Sequence, residues 1–187
     1  RAVVVGLGLL GASLALALRR RCPGARMVGV SSPATIAKAK AAELVDEGYS
    51  YGEMDTAAAG ADLVVLCTPI FHILEMLRSW EHSPPPLAPG CLVTDVGSTK
   101  RVISAAGART FARAGGAVFI GSHPMAGSEE NGIDARDEHL FENATWVLCP
   151  GPAAGPAAAR LEELAVLLGA RPLVMEVEAT VATTTLG

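Results

Sequence analysis

The sequence predicts a doubly wound α/β fold built on a mostly parallel sheet. Short apolar, β-branched runs without polar alternation recur along the chain, as strands covered on both faces require. Helical stretches rich in Ala and Leu separate them, which is the pattern of βαβ crossovers. Half of the residues are hydrophobic and only 4% aromatic, a composition that lets helices pack closely on a sheet.

The elements follow in order. Ala2 to Val5 reads as the first strand, and the turn from Gly6 to Gly11 leads into a helix over residues 12–21. Arg19, Arg20 and Arg21 close that helix, where cations suit the negative end of its dipole. Met27 to Val30 is the next strand, Ala34 to Val45 a helix, and Leu63 to Cys67 a strand ended by Thr68-Pro69. Ile70 to Trp80 reads as helix, and four prolines between Ser83 and Gly90 mark a loop. Leu92 to Val96 is a strand and Lys100 to Arg113 a helix. Ala117 to Ile120, Trp146 to Cys149 and Leu173 to Val177 complete the strands, with a helix from Pro156 to Leu168 between the last two. One domain is expected over residues 1–178. The polar, Thr-rich residues 179–187 are expected to be a linker or the start of a helical region.

At 187 residues the chain can bury one good core and is short for two full domains. Its net charge is −4 and its basic residues form no patch, which argues against nucleic acid as a partner. Cys22, Cys67, Cys91 and Cys149 show no CxxC spacing, so reduced thiols are expected and a zinc site is not. No apolar run approaches the roughly 18 residues needed to cross a bilayer. No signal peptide is visible either. The expected location is the cytoplasm, or the plastid stroma if the source is a photosynthetic eukaryote.

A GxGxxG pattern is weak alone, but here it follows a strand and opens a helix. Gly6 permits the tight turn, Gly8 lets a pyrophosphate approach the backbone, and Gly11 lets helix and strand pack closely. Gly6, Leu7, Gly8, Leu9, Leu10 and Gly11 are therefore the candidate phosphate-binding turn of a Rossmann-type dinucleotide domain. The acid expected about 20 residues on, to grip a ribose hydroxyl, is missing. Ser31 and Ser32 stand at that strand end. A carboxylate there would repel a 2′-phosphate and hydroxyls would not, so NADP is favoured, with NAD as the alternative. Lys38 and Lys40 are distant candidates for a positive clamp.

Doubly wound sheets bind ligands beyond the carboxyl ends of their strands. Cys67-Thr68-Pro69, Asp95 to Lys100, and Gly121 to Pro124 occupy such ends and offer a hydroxyl (Ser98), a cation (Lys100) and an imidazole (His123). Transferring hydride from an alcohol carbon needs a base for the hydroxyl proton, and histidine suits that role near neutral pH. Ser98 is equally placed to cap the helix starting near Lys100. His72, His82 and His139 read as surface or packing residues, and Cys67 as core rather than nucleophile.

At this point the residues carry a resemblance. Gly6 to Leu14, Cys67-Thr68-Pro69, Asp95 to Lys100, and above all Gly121 to Cys149 resemble the prephenate/arogenate dehydrogenase family of tyrosine biosynthesis. Its most specific part is His123-Pro124-Met125-Ala126-Gly127, followed by Leu140 to Ala144. Gly29-Val30-Ser31 and Leu44 to Glu47 are most similar to the cyanobacterial-type arogenate dehydrogenases, which generally use NADP.

The resemblance implies oxidative decarboxylation of arogenate or prephenate, with Cys67, Thr68 and Pro69 beside the cofactor. It assigns His123 as the base for the ring hydroxyl and Ser98 as the residue orienting it. Glu129 falls where prephenate-using members often carry a glutamate near the active-site entrance. It also implies a helical C-terminal domain that forms a homodimer and contributes an arginine for a substrate carboxylate. No such domain is present in these residues. Two other readings stand beside it: a different Rossmann enzyme of the β-hydroxyacid dehydrogenase type, and a truncated, non-catalytic nucleotide binder.

Overall fold

The computed structural model describes residues 1–112, 116–127 and 129–176. Among them, β1 (Ala2–Val5), α1 (Leu9–Arg21), β2 (Met27–Val30), α2 (Pro33–Ala41), β3 (Glu47–Tyr49) and α3 (Met54–Ala58) come first. β4 (Leu63–Leu66), α4 (Ile70–His82), β5 (Leu92–Asp95) and α5 (Lys100–Phe111) follow. The series ends with β6 (Val118–Pro124), β7 (Thr145–Cys149), α6 (Pro156–Leu167) and β8 (Arg171–Val174).

The strands form one sheet in the order β3-β2-β1-β4-β5-β6-β7-β8. Neighbours from β3 to β6 are parallel, β7 runs antiparallel to β6, and β8 is parallel to β7. The order reverses on either side of β1, so the crevice between the outgoing halves opens at the ends of β1 and β4. Strand periodicity divides the core between the two faces. Val4 joins Leu14, Leu18, Trp146 and Leu161 on one side; Val3 and Val5 join Ile73, Leu77, Ile103 and Phe119 on the other. No helix among the described residues is long and apolar enough to cross a membrane.

The doubly wound, mostly parallel sheet is the predicted architecture, with local departures. α1 starts at Leu9, inside the glycine turn, rather than at residue 12. α2 stops at Ala41 because Glu43 takes a left-handed conformation (φ +54°) that turns the chain back. Leu44 and Val45, which extend the helical pattern in sequence, are instead buried as the chain drops into β3. β3 itself escapes prediction, since three residues, Glu-Gly-Tyr, carry no strand periodicity. β6 runs on to Pro124 because β7 supplies a new partner where β5 ends. β8 begins at Arg171, earlier than expected, and is an exposed edge strand. Arg113, Val177 and residues 179–187 lie outside the described residues.

Candidate active site

Four connections converge at the carboxyl ends of the parallel strands, around a cavity of about 580 Å³. They are the β1–α1 turn, the β4–α4 turn, the β5–α5 loop and the loop after β6. Gly8, Leu9, Leu10, Cys67, Thr68, Pro69, Ser98 and His123 all line it. A second groove of about 650 Å³ runs between α3 and α4 and meets this one at Pro69.

The glycine turn is shaped by close approach. Gly6 has φ +90°, and a Cβ there would lie 2.9 Å from the carbonyl of Cys67. A Cβ on Gly11 would lie 1.8 Å from the Gly6 oxygen, so only glycine lets α1 start this close to β1. Gly8 is different: nothing lies within 4 Å of a Cβ built there, and the space belongs to the cavity. Leu7 turns away and is buried in the core, so only its backbone faces the turn.

On the opposite wall, His123 is half-buried and its Nδ1 lies 3.1 Å from the Val96 oxygen. A carbonyl can only accept, so Nδ1 carries the hydrogen, and in the neutral ring Nε2 keeps the lone pair. Ser98 is half-buried and lines the same cavity. Ser98 does not occupy the capping position of α5: that position is Thr99, whose side chain makes no capping bond. The thiol of Cys67 is pushed well above its ordinary range by burial and then by the Asp95 charge, which disfavours the thiolate that a nucleophile needs.

Lys100 does not offer its charge to the crevice. Its side chain is fully buried, ion-paired to Asp95, and donates to the Ser122 oxygen at 2.6 Å. The Asp95 carboxylate accepts from Gly97 N (2.8 Å) and Ser122 N (3.1 Å) as well. Burial pushes Asp95 up and Lys100 down, each opposed by its partner's charge. The Ser122 hydroxyl donates to the Asp95 oxygen (2.7 Å) and accepts from Trp146 Nε1 (3.0 Å).

Other predicted residues fall outside the cavity lining. Ser31 is buried, with its N–H given to the Tyr49 oxygen (3.1 Å). The Ser32 hydroxyl caps α2, accepting from Thr35 N (3.3 Å) and lying 2.9 Å from the Thr35 hydroxyl. Lys38 pairs with Asp134. Glu129 is exposed and its carbonyl accepts from Asn131, whereas Glu130 and Asn131 line the cavity. Arg19, Arg20 and Arg21 pair with Asp46, Glu138 and Glu142. His72 and His139 sit exposed against Glu75 and Glu142, and His82 against the Arg78 carbonyl. No cluster of His, Cys, Asp and Glu among the described residues is placed to hold a metal ion.

Residues 14–174 match the family model described as prephenate dehydrogenase, nucleotide-binding domain. The chain belongs to that family. It is 38% identical over 152 residues to a prephenate dehydrogenase of Bacillus subtilis, covering 80% of this chain and 39% of the relative. The crystal structure of Synechocystis arogenate dehydrogenase superposes with a TM-score of 0.83 at 38% identity, over 96% of this chain and 60% of the other. A prephenate dehydrogenase from Aquifex aeolicus, solved in complex with hydroxyphenyl propionate and NAD+, gives a TM-score of 0.82 at 26% identity, over 96% of this chain and 60% of the other. The chain thus spans about two fifths of the curated relative and three fifths of the solved ones.

As a member of this family the chain is a nucleotide-binding domain. Ser98, Lys100 and His123 fall inside the matched span, and the glycine turn lies just ahead of it. Sequence marks Asp95, Ser122 and Trp146 only as members of strands and strand ends. One signal is available: Lys100 stands in the first turn of α5, where a cation opposes the helix dipole. A lysine there needs a reason, and Asp95 is the reason.

Proposed function

We propose that the complete protein is an NADP-preferring arogenate or prephenate dehydrogenase, to which this chain contributes the nucleotide site and the base. The reading rests on one observation: an imidazole held with Nε2 free of its hydrogen shares a strand-end cavity with Ser98 and the glycine turn.

Features of this chain fit a dinucleotide. The first turn of α1 has neither an acid nor a side-chain cap, so its N–H groups are available to phosphates. Thr68 Oγ1 is buried at the cavity wall without a protein partner, which suits a ligand polar group. The turn from Gly6 to Gly11 would hold the pyrophosphate through its backbone, and Cys67, Thr68 and Pro69 would flank it. No carboxylate stands at the end of β2; the hydroxyls of Ser32 and Thr35 open α2 instead, and its first turn has no acid. A 2′-phosphate meets no repulsion there, which favours NADP.

When bound, the nicotinamide supplies the hydride acceptor. Oxidation of the ring alcohol also releases the hydroxyl proton, which His123 Nε2 takes. The Val96 carbonyl, already holding Nδ1–H, stabilises the imidazolium that results. Ser98 orients the substrate hydroxyl towards the ring. The bond to the ring carboxylate then breaks, CO₂ leaves, and its electron pair completes the aromatic ring. Lys100 is committed to Asp95, and Arg136 donates to the Ile133 carbonyl. In the family that the chain resembles, the cation for the substrate carboxylate belongs to a helical domain through which two protomers pair, and the reading assigns it there.

Replacing His123 by Ala in the complete protein should lower kcat by about 10²–10⁴-fold, the effect of losing a general base. The assay follows reduction of NADP and NAD with arogenate and with prephenate. Turnover close to the parent's would overturn the assignment.

A further inference from the structure

We infer that the buried Asp95–Lys100 pair is a positioning device that sets His123 and Ser98 relative to one another. The inference rests on the catalytic reading of those two residues.

The need for such a device follows from the sheet. The parallel ladder between β5 and β6 ends at Thr94 and Ile120. β6 continues through Gly121 to Pro124, paired only with β7 on its other side. On the β5 side, its backbone must find other partners there or remain unsatisfied in the core.

The pair provides them. Asp95 accepts from the N–H of Ser122, and Lys100 donates to the carbonyl of the same residue at 2.6 Å. Both backbone groups of the residue before His123 are thereby fixed. The other Asp95 oxygen accepts from Gly97 N at 2.8 Å, fixing the residue before Ser98. One carboxylate thus holds the neighbours of both reacting side chains. The Val96 carbonyl that orients the imidazole lies between them in the same loop. Ser122 Oγ closes the network, donating to the Asp95 carbonyl while Trp146 donates to it.

Stability is a weak reason for such a pair. Both side chains are completely shielded from solvent, and buried ion pairs replaced by packed apolar residues often leave stability unchanged or improved. What an apolar pair cannot do is bond Ser122 and Gly97. Misplacing reacting groups by about an ångström lowers turnover by about 10²-fold.

Two variants of the complete protein test this, the apolar double Asp95→Leu/Lys100→Met and the polar double Asp95→Asn/Lys100→Gln, which leaves no unpaired buried charge. Each is checked for cooperative unfolding and nucleotide binding, then for kcat, KM and the ¹⁵N spectrum of its histidine rings. The expected result in a folded variant is a drop in kcat approaching 10²-fold with nucleotide KM little changed. The Nδ1–H tautomer signature of His123 gives way to a mixture. A folded variant that keeps both parental kcat and the single-tautomer spectrum overturns the inference. If the parent turns over neither substrate, the functional reading fails, and the tautomer spectrum still decides the positioning role.

Discussion

The two walls of the crevice are made in opposite ways. On the β1–β4 wall, side chains are removed: Gly6 and Gly11 let backbone meet backbone, and Gly8 leaves open space. On the β5–β6 wall, polar groups are added to the core: a carboxylate, an ammonium, two hydroxyls and an indole N–H tie two strand ends together. The first wall suits a ligand that is gripped by backbone and carries its own charge. The second suits a proton transfer, where an imidazole must be held in one tautomer and one place. On the proposed function, the difference teaches that recognition is built by subtraction and chemistry by internal bonding.

The largest effect that could break this contrast is at Gly11. Ala there forces a Cβ to within 1.8 Å of the Gly6 oxygen, so destabilisation of about 3 kcal/mol or more is expected in urea unfolding. Parental stability would mean that the turn is looser than described. The same substitution at Gly8 meets nothing within 4 Å. Stability should change by less than about 1 kcal/mol, the scale of a helix-capping effect. Dinucleotide affinity should nevertheless fall about tenfold or more, because the added methyl fills the approach to the phosphates. Calorimetric titration with NADP measures it, and unchanged affinity would remove Gly8 from the site.

Ser31→Asp sharpens the nucleotide wall further. A carboxylate at the end of β2 should shift the ratio of kcat/KM for NADP over NAD towards NAD by about tenfold, through repulsion of the 2′-phosphate. An unaltered ratio would show that this strand end does not read the ribose.

The smallest effect separates the buried pair from a surface one. Glu47 on β3 is held at about 2 by hydrogen bonds from Arg1, then Tyr49 and Arg26, below its ordinary 4.5. Its folded value is depressed, so its stabilisation is present above pH 4.5 and fades as pH falls towards 2. Denaturant midpoints of the parent and Glu47→Gln should therefore differ at pH 5 and converge as the pH approaches 2. A constant difference across that range would show that Glu47 does not act through its charge.

What the sequence discloses follows the same division. The glycine turn is legible because its constraints are local, a strand end, a tight turn and a helix start within a few residues. His123 and Ser98 are legible as polar residues where strands end. Lys100 is misread as a crevice cation because its partner Asp95 is identified only by the path of β6, which peels from β5 towards β7. Nothing local announces that path. β3 is hidden for a similar reason, since Glu47 to Tyr49 become a strand only through pairing with β2. The resemblance assigns Glu129 to the active-site entrance, yet its neighbours Glu130 and Asn131 line the cavity. Sequence gives the order of residues along that loop and not its twist.

β6 also has a mechanical consequence. Its first half is laced to β5 and its second half to β7, with His123 registered on Val147. His123, the proposed base, thus stands on the beam that joins the parallel plate to the reversed pair β7 and β8. β8 is the outer edge of the described sheet, only two strands from that beam. Along the sheet, β8 is joined through β7 to the backbone of His123, and only beyond β6, β5 and β4 to β1 and the glycine turn.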